Sequence, residues 1–198
     1  MARSPDVYRQ WVQQSARLAG LTGVVRSMIE LQHCGTLDLV LRAIEDEHPA
    51  SAEAETDPEF LTPTWQVMLS GLWVGKAYQI TWLLSKRRFK GKWPELSALL
   101  HDLELLRVPL EKHEIAKDSD LKGASLQFVR SPPNGDQSDF VEYRGGDPSR
   151  AHIMPMGMSA RGSIVWQAVD IRGRDAKWLE RRDLADRLLA LTPPATEP

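Results

Sequence analysis

Apolar residues recur at helical spacing through the first 118 positions, and that period constrains the fold more than any other feature. Tyr8, Trp11, Ser15 and Leu18 share one face; the pattern resumes after Gly20 and Gly23 with Val24, Val25, Met28, Ile29, Leu31, and later Leu37, Val40, Leu41 and Ile44. Residues three and four apart lie on one side of an α-helix, so 6–47 reads as two helices broken at the glycines. The acidic stretch HPASAEAETDPEFLTP has no period and reads as a loop. Thr62 and Pro63 form a helix start, with threonine as cap and proline at the first helical position, where its missing N–H is not needed. From there Trp65, Leu69, Leu72, Trp73, Ala77, Ile80, Leu83 and Leu84 make an apolar stripe expected to face the core. SKRRFKGKWP turns the chain, and Pro94 opens a fourth helix with Leu96, Leu99, Leu100, Leu103 and Leu106 on one side. So short a connection predicts that the third and fourth helices are antiparallel neighbours.

Beyond Asp118 the texture changes. LQFVR, DFVEYRG, HIMPMGMS and SIVWQAVDI are short, rich in β-branched and aromatic residues, and separated by SPPNGDQS, GDPS and ARG. They read as strands of a small antiparallel sheet or ribbon. Pro155 has no N–H for a ladder, which argues against a central place for the third. Residues 175–191 read as a final helix, with Trp178, Leu179, Leu184, Leu188 and Leu189 apolar. Met154, Met156, Met158 and Trp166 offer an exposed ribbon for a partner or a surface packed on the helices; the alternation in SIVWQAVDI favours packing. The expected class is α+β. An antiparallel helical bundle occupies 1–120, and a small antiparallel β-region with a C-terminal helix occupies 121–198, packed on the bundle.

An apolar share of 42% and a charged share of 26% belong to a globular chain. Cys34 is the single cysteine, so no internal disulfide forms; it reads as a small buried residue in a reducing, cytoplasmic setting. The opening MARSPDVYRQWVQQS lacks the apolar centre of a signal peptide, and no apolar run approaches the roughly 18 residues of a membrane span. The histidines at 33, 48, 101, 113 and 152 are scattered, which predicts no metal site, and no glycine-rich phosphate loop follows a strand, which predicts no nucleotide cofactor.

The net charge of −2 conceals a segregation. Between Ala43 and Gly75 there is no lysine or arginine, while Glu45, Asp46, Glu47, Glu53, Glu55, Asp57 and Glu59 are acidic. From Phe60 to Pro94 there is no acid, and Lys76, Lys86, Arg87, Arg88, Lys90 and Lys92 are basic. Arg87, Arg88, Lys90 and Lys92 could neutralise phosphates while Phe89 and Trp93 stack on unpaired bases, which makes this connection the candidate RNA-binding element. The plainer alternative is a solvated turn whose cations complement the C-terminal dipole of the third helix.

Chemistry concentrates at ELLRVPLEKHEIAKD. In an unbroken helix Arg107 and His113 would stand about 120° apart around the axis and roughly 9 Å apart along it. Pro109 is expected to kink or restart the helix, because it cannot bond the carbonyl of Leu105 and crowds the preceding turn. A break there could aim both side chains into one cleft. Histidine titrates near neutrality and can take a proton from a ribose 2′-hydroxyl, while arginine offers forked donors to a phosphorane. The alternative is ordinary helix chemistry, with Arg107 paired to Glu104 or Glu111 and His113 in solvent.

An arginine and a histidine separated by five residues, Val108 to Lys112, late in a bundle of paired helices, resemble the HEPN superfamily (higher eukaryotes and prokaryotes nucleotide-binding) over 6–118. The resemblance implies a metal-independent endoribonuclease acting in bacterial stress or defence, including toxin–antitoxin systems. Arg107 and His113 would be its catalytic residues, and two copies would meet as a homodimer. Active members commonly have a polar residue after the arginine, where this chain has Val108. The alternative is a non-catalytic binding or assembly protein, or an antitoxin-like regulator, with a protein partner.

Overall fold

Where the helical period runs, the chain is helical. A computed structural model describes residues 5–23, 25–51, 61–86, 93–121, 123–130, 139–145 and 152–194. Helix α1 (Pro5–Thr22) ends at Gly23, whose φ of +62° suits a residue without Cβ and whose N–H bonds the Ala19 carbonyl at 3.2 Å. Helices α2 (Val25–Ser51), α3 (Leu61–Ser85) and α4 (Pro94–Lys112) follow, each packed on the one before. The first two approach closely because Gly35 lies under the Trp11 indole: a Cβ there would come within 2.7 Å of the ring. Leu18, Leu31, Leu41, Trp73, Leu84, Leu99, Leu103 and Leu106 are fully buried in the common core.

After a 3-10 turn at Asp118–Leu121 come two small antiparallel sheets. Strands β1 (Ser125–Arg130) and β2 (Asp139–Arg144) pair with each other, Leu126 opposite Tyr143. Strands β3 (Met156–Met158), β4 (Ile164–Asp170) and β5 (Asp175–Glu180) form the second sheet in that order, so β3 takes the edge position that Pro155 predicts. Helix α5 (Arg181–Ala190) closes the fold. The class is α+β, as expected.

Strand β4 is buried along its whole length. Ile164, Trp166 and Ala168 join the helical core, while Val169 and the following Ile171 join a second cluster with Ile115, Leu126 and Tyr143. A central strand covered on both faces buries every position, including the polar Gln167 and Asp170. Met154 is buried and Met158 packs on the helical core, whereas Met156 on the edge strand is exposed.

Two expectations are corrected. Residues 175–180 are strand, not the start of the last helix, because they pair with β4 from Asp175 opposite Asp170 to Glu180 opposite Val165. Asp170 builds the turn, accepting the N–H groups of Arg172 and Gly173 at 3.1 Å each. The expected restart at Pro109 does not occur either. Helix α4 continues through it to Lys112, Pro109 is buried, and its carbonyl accepts the N–H of His113 at 3.0 Å. The helix forgoes the hydrogen bond to the Leu105 carbonyl and ends one turn beyond the proline.

The first residue of α5, Arg181, joins strand region and bundle. Its guanidinium is fully buried and bonds both carboxylate oxygens of Glu45, at 2.7 and 2.7 Å, and Asp38. Asp38 also accepts Trp11 Nε1 and Arg42 Nε at 2.8 Å each, and Arg42 reaches Asp186 at 2.5 Å. The Trp73 ring lies 5.8 Å from the Arg181 guanidinium carbon. Asp38, Arg42 and Glu45 repeat at i, i+4 and i+7, which sets all three on one side of α2. Arg181→Ala strips the buried Glu45 of its close cation and leaves Asp38 with Arg42 alone, and is expected to destabilise the fold by about 3–5 kcal/mol in urea unfolding. Exposed Arg26→Ala, beside Glu30, is expected to cost less than about 1 kcal/mol.

Candidate functional site

Arg107 stands on α4 where that helix faces α3. Its Nε and Nη2 bond Glu111 one turn on, at 2.9 and 2.7 Å, and its guanidinium carbon lies 4.6 Å from the centre of the Tyr78 ring. The Glu111 carboxylate holds the guanidinium proton and raises its already high pKa, against a smaller opposing effect of burial. The ion pair to Glu111 anticipated as the plainer reading is therefore present. His113 is the C-cap of α4, in the left-handed region at φ 57°, with its side chain exposed and its carbonyl accepting the N–H of His152 at 2.8 Å. The partners that hold the Arg107 side chain are Glu111 and Tyr78, and the two motif residues occupy successive turns of one continuous helix end. Arg87, Arg88, Lys90 and Lys92, the candidate RNA-binding cations, lie outside the described residues, as does Phe89; Trp93 is buried at the start of α4.

A cleft of about 520 Å³ opens beside Arg107, lined by Arg26, Glu30, Tyr78, Ile80 and Trp82 among others. Glu30 is bonded by Lys76 at 3.0 Å, and that hydrogen bond outweighs burial and keeps its carboxyl below the usual value. The cleft lining combines the apolar and aromatic Tyr78, Ile80, Trp82 and Leu83 with two arginines, Ser27 and Glu30.

Helix α3 divides into two faces. Trp73, Val74, Ala77, Ile80 and Leu84 are buried, whereas Trp65, Met68, Leu72 and Trp82 are 54, 55, 59 and 45% exposed. Trp65 and Leu72 were expected in the core stripe; they face solvent. The helix is apolar nearly all round, so its inward side could be picked out only by the surfaces that cover it. Four large apolar groups on one outward line form the kind of patch that marks an interaction surface. Lys86 extends it, with Nζ 5.2 Å from the Trp82 ring centre.

A polar cluster lies under the β4–β5 turn. Asp170 meets His101 Nε2 at 2.6 Å and Lys177 Nζ at 3.7 Å; Asp102 holds Lys177 at 2.6 Å and Arg187 at 2.9 Å. Helix α4, the hairpin and α5 are tied together here. Sequence reading could single out the neighbours His101 and Asp102 but missed their partners Asp170, Lys177 and Arg187, which lie far along the chain. It missed the Arg181 network too, although a signal existed: Leu31, Cys34, Asp38, Leu41 and Glu45 share the inward seam of α2, while Met28, Ile29 and Val40 are exposed. Cys34 is fully buried, and desolvation raises its thiol pKa well above the ordinary range. Among the described residues no group of three His, Cys, Asp or Glu side chains could hold a metal, and no helix is long and apolar enough to cross a membrane.

Compared with known proteins, the chain matches no family model, no curated protein and no solved structure.

Burial pushes the Asp170 carboxyl up, but the His101 hydrogen bond, the Gly173 N–H and the Lys177 charge outweigh it and hold the group below its ordinary 3.8. A carboxyl depressed on folding stabilises above its unfolded pKa, and that contribution is lost as pH falls through the folded value. The stability gap between wild type and Asp170→Asn in urea is thus expected to be open at about pH 6 and to shrink at about pH 2.

Proposed function

We propose that this chain is a non-catalytic binding and assembly protein that docks through the outer face of α3. The observation that carries the reading is the exposed line of Trp65, Met68, Leu72 and Trp82 on a helix whose opposite side is core. Tryptophan and methionine are enriched where proteins meet, because they bury much area with few ordering costs or with adaptable shape. An antitoxin-like regulator is one form such a protein takes. A photo-crosslinking amino acid at position 68, activated in cells, is expected to give a covalent protein adduct that the added substitution Leu72→Glu removes. No adduct at 68 would overturn the reading.

The second reading is the HEPN-like metal-independent endoribonuclease of bacterial stress or defence, with His113 moving protons and Arg107 stabilising the phosphorane. Arg107 on the wall of a cleft that also holds Arg26 speaks for it. Against it, the Arg107 guanidinium is engaged by Glu111 and Tyr78, and His113 caps a helix that runs through Pro109 without a restart. Single-stranded RNA incubated with chelator is expected to stay intact with wild type, Arg107→Ala and His113→Ala alike. Cleavage by wild type that both substitutions abolish would put the nuclease first.

A further inference from the structure

The outer face of α3 is self-complementary, and we infer that its occupant is a second copy of this chain, laid antiparallel along the same helix. This rests on the assembly reading above and names the partner.

The exposed Trp65, Met68, Leu72, Gln79 and Trp82, with the half-buried Gly75, follow a 3.5-residue spacing, the seam of a helix pair. A two-fold axis between Trp73 and Val74 pairs this line with itself. Trp65 then meets Trp82 of the second copy, Met68 meets Gln79, and Leu72 meets Gly75. Each large group faces a group it can stack on or a space it can enter. In the parallel arrangement Leu72 meets Leu72 and Gly75 meets Gly75, which leaves a gap at the centre.

The glycines support the same geometry. A Cβ at Gly71 would meet nothing within 4 Å, and at Gly75 only the Glu111 carboxylate at 3.7 Å. Packing within one copy therefore requires neither glycine, although each costs about 0.5–1 kcal/mol in a helix relative to alanine. A partner backbone that approaches closely accounts for both.

The area is of the right order. The four exposed side chains offer roughly 450 Å², over half of the roughly 800 Å² that each partner gives to a stable interface.

The test uses the full chain. Sedimentation is expected to show a dimer, and Leu72→Glu, at a site exposed within one copy, to weaken it about a hundredfold or more while leaving the far-UV circular dichroism unchanged. Cys34 is buried, so introduced cysteines report alone. Trp65→Cys with Trp82→Cys is expected to link copies under mild oxidation. Trp65→Cys alone is expected not to, since the two positions would lie roughly 25 Å apart. A monomer at all concentrations, or linkage through position 65 alone, overturns the inference. If the purified chain is a monomer while position 68 crosslinks to another protein in cells, self-pairing falls and the assembly reading stands. If neither dimer nor adduct forms, both fall.

Discussion

A guanidinium with no access to water sets the terms for this fold. Arg181 is buried at the first turn of α5, and its charge is tolerable only with the Glu45 and Asp38 carboxylates aligned to receive it. Those carboxylates are equally buried on α2, and Asp38 needs Trp11 from α1 and Arg42 as further donors. The network therefore forms only when α1, α2 and α5 have all arrived. Leucine contacts alone tolerate sliding by a turn; a set of hydrogen-bonded charges has one register. Because β5 runs directly into Arg181, the same contact positions the hairpin whose central strand covers α3 and α4.

With the inner side of α3 taken up by that arrangement, its outer side is left to do something else. Trp65, Met68, Leu72 and Trp82 keep about half of their surface in water. The cleft with Arg26, Tyr78 and Arg107 opens beside the same helix, sharing Trp82 with the outward line. An occupant of the face would thus border the cleft. Arg107, on the wall of that cleft, bonds Glu111 through Nε and Nη2 and stacks on the Tyr78 ring.

Much of the architecture could be read from periodicity. The break at Gly23, the start of α4 at Pro94, four of the five strands and the edge position of β3 all follow from local signals. Two local signals misled. Trp178 and Leu179 fit a helical spacing with Leu184 and Leu188, yet residues 175–180 pair with β4, because the Asp170 turn delivers them to a strand needing a neighbour. Pro109 reads as a stop, yet α4 continues through it for one further turn. The site was less legible. Arg107 and His113 stood out by residue type, while the exposed face of α3 did not, because an apolar helix carries no mark of which side is covered.

What the sequence determined by itself is the order and kind of most elements, since hydrogen bonding within a helix or across a tight turn depends on neighbours a few positions away. Tertiary structure alone decided which apolar residues of α3 meet water, which carboxylates of α2 meet Arg181, and that 175–180 is strand. Those outcomes depend on surfaces brought together from distant parts of the chain, and burial is a property of the assembled surfaces rather than of any residue within them.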